Sequence, residues 1–213
     1  SNTVNGKRAW SLLRQALKKC IPARGIPKLL KGHENDGPLW KLPKGSQFVV
    51  VTSRVLGGYE KSKSSRRRIL EESLGRDHLW ISKVEITALA KGSFPDSLRK
   101  RLPALLSDNT RGEPGRWRKS QIKKLKLTLT TGCLMGQAHF ETASGDRGYK
   151  AKMLGFIETD KNKLTRFDLV VKGTYWGEGR YTRNGPKGKF PFVVSFRLSD
   201  GREPYDTPPP GAR

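Results

Sequence analysis

Cysteine and histidine are both scarce in this chain, with two of the former (Cys20 and Cys133) and three of the latter among 213 residues. Two thiols cannot supply a disulfide framework or a cysteine-rich zinc site. They leave either one Cys20–Cys133 bridge or a pair of free, buried thiols, and the latter is the simpler expectation. Long apolar runs are missing as well. No stretch approaches the roughly eighteen apolar residues that a membrane-crossing helix needs, so no membrane span is expected. SNTVNGKRAW at the start lacks the apolar core of a secretory signal, and PPPGAR at the end reads as linker. Acidic side chains are the third shortage: 19 Asp and Glu stand against 43 Lys and Arg, for a formal net charge of +24.

Several familiar chemistries are also missing their residues. GPKGKF (Gly185–Phe190) resembles part of a phosphate loop, but Phe190 stands where a magnesium-binding Ser or Thr is required. His139-Phe140-Glu141 begins like a zinc deaminase signature, yet no PCxxC follows. His33-Glu34 lacks the second histidine of a zincin, and no GxSxG occurs. No metal site and no cofactor are therefore expected.

What is present is positive charge, evenly spread. Residues 1–46, 47–120 and 121–213 each carry a net +8, so the excess belongs to the body of the protein and not to a detachable tail. Such a field attracts polyanions such as acidic glycans or nucleic acid. Five Trp, five Tyr and eight Phe supply large buried areas for a core.

Periodicity organises the rest. Residues 6–20 place Ala9, Trp10, Leu13, Ala16, Leu17 and Cys20 on one face, which predicts an amphipathic helix. An extended connector then runs to residue 46, anchored by Trp40 and Pro43. Residues 47–120 read as a mixed part: a strand at Gln47–Leu56 buried on both faces, the basic run Lys61–Arg68, a short helix around Arg67–Leu74, a strand at His78–Ile86, and a helix over Ser93–Ser107 that Pro103 kinks. From 121 to 200 the pattern alternates with period two, with apolar sets such as Leu125/Leu127/Leu129, Leu134/Ala138/Phe140 and Phe190/Phe192/Val194/Phe196/Leu198. Short turns join five such runs, which predicts an antiparallel meander. Residues 201–213 form an extended tail. The expected fold is α+β over a single domain, 1–213: a β-meander or small barrel-like sheet of about seven strands with two or three covering helices.

The block from Leu164 to Leu198 is the best candidate for a working surface. Within TYWGEGRYTR, residues Trp176, Glu178 and Arg180 share one parity and Tyr175, Tyr181 and Arg183 the other. Aromatic faces beside cations suit a sugar ring or a nucleobase. With Arg111 from the loop Thr110–Trp117, whose fork matches anionic groups, the candidate ligand-binding set is Arg111, Tyr175, Trp176, Glu178, Arg180, Tyr181 and Lys189. The opposing reading makes the same block an ion-paired corner that pins the meander. His139 and Glu141 share a strand face and form a candidate acid–base pair.

LTRFDLVVKGTYWGEGRYT, GKFPFVVSFRL and the upstream WKLPKGSQFVVVTSRVLGGYEKS (Trp40–Ser62) resemble strings shared by a group of uncharacterised bacterial proteins, over roughly Cys20 to Gly211. The resemblance implies one domain type and carries no activity, cofactor or catalytic residue. The expectation drawn from the residues is a non-enzymatic binding module for an anionic ligand, a polyanionic glycan or similar. Its alternatives are a nucleic-acid-binding basic protein that uses Lys61–Arg68, an enzyme of unrecognised type using Glu178 with His139 or Tyr181, and a partner-assembly role.

Overall fold

A computed structural model describes residues 44–61, 64–179 and 181–200, all within one compact unit, Leu42–Arg213. The helix expected over 6–20, the connector as far as residue 43, Cys20, Arg180 and the tail 201–213 lie outside the described residues.

The protein is α+β. Seven strands form one antiparallel sheet: β1 (Gln47–Val55), β2 (Leu74–Ile81), β3 (Ile122–Thr130), β4 (Cys133–Glu141), β5 (Gly148–Asp160), β6 (Lys163–Trp176) and β7 (Lys189–Leu198). Their order is β2-β1-β7-β6-β5-β4-β3. The run β3 to β7 is the expected meander; β7 then pairs back onto β1, which carries β2 at its far side. Three helices are present among the described residues: α1 (Ser65–Glu72), α2 (Lys83–Ala90) and α3 (Asp96–Leu105).

Alternation sets the two faces of the sheet. The inward set includes Leu134, Ala138 and Phe140 on β4, Tyr149, Ala151, Met153 and Ile157 on β5, and Phe190, Phe192, Val194 and Phe196 on β7. Ile86 and Leu89 of α2 and Leu98 and Leu102 of α3 complete this core. Glycine stands at inward positions of three strands, at Gly136, Gly155 and Gly173. A Cβ on Gly173 would lie 1.9 Å from the Lys150 carbonyl oxygen, so only glycine admits the close strand approach there.

One expected strand is corrected. His78–Ile86 does not run straight through: β2 ends at Ile81, and Ser82 caps α2. Ser82 and Glu85 form a reciprocal capping box, with Glu85 N–H donating to Ser82 Oγ (3.3 Å) and Ser82 N–H to Glu85 Oε2 (2.9 Å). That local bonding outweighs the β-branched Val84 and Ile86. The helix expected from Ser93 starts at Asp96, and Pro103 is accommodated in its last turn.

Candidate functional site

Two surfaces compete for the role. The first is the corner between β6 and β7. β6 ends at Trp176, and the chain turns through Gly177 (φ +80°) before it rejoins the sheet at Lys189. Arg111 reaches this corner from the loop after α3, and its side chain has no exposed surface. Its guanidinium donates twice to Asp108 Oδ2, at 3.2 Å from Nε and at a very short separation from Nη2. Nη1 donates to Glu178 Oε1 at 3.4 Å, and the same oxygen accepts from Gly185 N–H at 2.7 Å. Asp108 Oδ1 accepts from the Thr110 N–H (3.0 Å) and hydroxyl (2.6 Å). Two carboxylates and the flat face of Gly185 thus enclose the Arg111 fork. Gly112 (φ +144°) lets the two loops touch, since a Cβ there would sit 2.3 Å from the Tyr181 carbonyl oxygen.

The sequence candidates therefore divide. Arg111 and Glu178 do meet, but as a closed ion pair. Tyr175 is buried among Trp117, Tyr149, Phe190 and Phe192, and burial pushes its phenol up to about 12. Trp176 lies on the other face of the sheet, donates Nε1–H to Gly145 O at 2.9 Å, and has the Lys189 ammonium 5.3 Å from its ring. Tyr181 is exposed, and Arg180 is outside the described residues. His139 Nε2 and Glu141 Oε2 are 3.0 Å apart, so each already has the other as partner. Of the basic run, Lys61 is exposed, and Arg67 in α1 lies over the Tyr59 ring at 5.3 Å.

One corner residue escaped sequence reasoning. Arg147 is buried with its guanidinium 4.3 Å above Trp117, and its Nε has no acceptor among the described residues. Nothing in the turn Ser144-Gly145-Asp146-Arg147 marks it; only the fold brings Trp117 beneath it.

The second surface is the outer face of the sheet. Register lines up Lys126, Gln137, Lys152, Lys172, Val193 and Arg54 across six strands. The neighbouring row holds Lys124, His139, Lys150 and Thr174. Between the rows lies an open depression of about 470 Å³ lined by Lys124, Gln137, His139, Lys150, Lys152 and Lys172. Lys124 Nζ donates to Gln137 at 2.7 Å. Lys126, Lys150, Lys152 and Lys172 have no ion pair or hydrogen bond among the described residues. Two carboxylates of this face, Glu158 and Asp168, hold Arg166 at 3.1 and 2.6 Å, and a third, Glu141, is held by His139 beside the depression.

Among the described residues no three His, Cys, Asp or Glu side chains gather closely enough to hold a metal ion, and no helix is long and apolar enough to cross a membrane. The fold and these surfaces define an α+β protein on a seven-stranded antiparallel sheet with rows of lysines on its outer face. No protein-family model, curated protein or solved structure matches the chain.

Proposed function

We propose that this protein is a binding module for an extended polyanion, held on the outer face of the sheet. The observation that carries this reading is Lys152 facing Lys172 in register, flanked by Lys124, Lys126 and Lys150, with no carboxylate set against them. Like charges directly opposite across strands cost stability. A fold that keeps them together, while Asp168 and Glu158 are drawn two and three residue rows away onto Arg166 and Glu141 is held by His139, is complementary to an anion supplied from outside. Strand spacing sets the lysine positions about 5 or about 10 Å apart along a row, a spacing that suits a chain of regularly repeated charges better than one small anion.

On this reading the 175–189 block and Arg111 are the corner that holds the meander, and the ligand lies across β3 to β6. Glu178 is committed to Arg111 and Gly185, which supports binding over acid–base catalysis there.

The test is binding of the 213-residue chain to a sulfated glycan and to nucleic acid at low salt. The double variant Lys152→Gln/Lys172→Gln should weaken whichever polyanion binds and flatten the slope of log K against log salt by about 1.4 to 1.8. Absence of binding to both ligand types at low salt overturns the proposal.

A further inference from the structure

Alongside the lysine rows runs an apolar one. Two residues further along each strand, register aligns Thr128, Met135, Leu154 and Val170. Met135, Leu154 and Val170 are 51, 54 and 45% exposed, and Phe156, one row beyond on β5, is 43% exposed. These are large apolar side chains left in water on consecutive strands, a contiguous patch and not a scatter. Leu154, Phe156 and Val170 border a recess of about 540 Å³ whose rim also includes Lys152, Lys172 and Asp168. The same two lysines thus edge both the cationic depression and the apolar recess.

Phe156 carries a flat lid. The Arg166 guanidinium lies 5.0 Å from its ring centroid, and Asp168 and Glu158 fix that guanidinium from its edge. Two carboxylates against one guanidinium leave the cluster formally negative, so its exposed face offers a stacking plane for a base and not a place for a phosphate. The surface therefore reads, along the strands, as a cationic stripe, an apolar stripe and a stacking plane. Successive stripes are about 6 to 7 Å apart, the rise of two strand residues.

We infer that the polyanion is single-stranded nucleic acid, its phosphates over Lys126, Lys152 and Lys172 and its bases over Met135, Leu154, Val170 and the Phe156–Arg166 plane. This rests on the polyanion reading above and adds the ligand class. A single strand presents charge along one edge and apolar planes along the other, matching the two stripes. A duplex buries its base faces and leaves the apolar stripe uncovered. A sulfated glycan carries polar groups around its whole circumference and gains nothing from Met135, Leu154 and Val170. A second copy of this chain would set lysine against lysine, and an anionic lipid surface is flat where this surface is recessed.

The experiment is fluorescence anisotropy of the full chain with labelled oligothymidylate of about 20 nucleotides, long enough for one domain's site, against a duplex of the same charge, a heparin fragment and anionic vesicles, all at one salt concentration. The single strand is expected to bind about tenfold more tightly than the duplex. Leu154→Ser/Val170→Ser, at exposed positions where folding is little affected, should lose about tenfold for the single strand while heparin binding holds within about twofold. Phe156→Ala provides an independent variant with the same expected direction. Equal affinity for duplex, heparin or vesicles, or unchanged single-strand affinity in both variants, overturns the ligand class while the polyanion reading stands. Failure of every probe overturns both.

Discussion

At the residue scale, Arg111 shows how a side chain suited to a ligand is spent on the fold. An arginine fork in a Gly-rich loop reads as an anion receptor, but here Asp108 and Glu178 accept from all three of its nitrogens and its side chain has no exposed surface. Truncating one partner of a buried pair leaves the other charged and unpaired. Arg111→Ala should therefore lower unfolding free energy by about 3 to 5 kcal/mol in denaturant titration, with any loss of binding tracking the loss of folded protein. Gly112 has a related role: its φ of +144° and its contact with Tyr181 O exclude a side chain. Gly112→Ala should cost about 1 to 3 kcal/mol, seen as a lower denaturant midpoint with unchanged slope. Neither role was legible in the loop itself, because Glu178 lies 67 positions away in sequence.

At the element scale, Glu85 joins β2, α2 and α3. It caps α2 through Ser82, accepts from Ser97, and receives Arg101 at 2.7 Å, while Arg101 also donates to Trp80 O at 2.6 Å. Burial alone would raise its pKa, but the hydrogen bonds from Ser97, Ser82 and Arg101 outweigh burial and hold the carboxyl below its ordinary 4.5. A depressed folded-state pKa gives stability that is present above pH 4.5 and is lost as pH falls through the folded value. Glu85→Gln should cost about 1.5 to 3 kcal/mol at neutral pH and remove part of the acid-induced loss, as pH-dependent denaturation would show. The tyrosines act at the other end of the scale. Burial raises Tyr149 and Tyr175 above 10.0, so the folded protein keeps these protons while the unfolded chain releases them. Stability should fall as pH rises beyond 10, and absorbance of these two phenolates should appear at higher pH in the folded protein than in the unfolded chain. The meander strands were legible because alternation alone specifies them. The β2–α2 boundary was not, because the Ser82–Glu85 capping box sits inside a run that also suits a strand.

At the scale of the whole molecule, the outer face carries charge that folding concentrates. Lys152 and Lys172 are 20 residues apart in sequence and directly opposed in the sheet. Salt screens such exposed pairs. Thermal stability should therefore rise from low to moderate salt, and Lys152→Gln should add about 0.5 kcal/mol at low salt, a gain that disappears at high salt in melting curves. Period-two alternation by itself determined which residues of each strand face the core and which face water, because a strand's side chains alternate whatever its neighbours are. It likewise placed Lys124, Lys126, Lys150, Lys152 and Lys172 opposite the apolar sets. Only the tertiary structure decided that these lysines form rows, that Met135, Leu154 and Val170 lie beside them, and that Glu178 closes on Arg111. Those outcomes depend on register between strands and on contacts between distant loops, and neither is encoded in the spacing of residues along one segment.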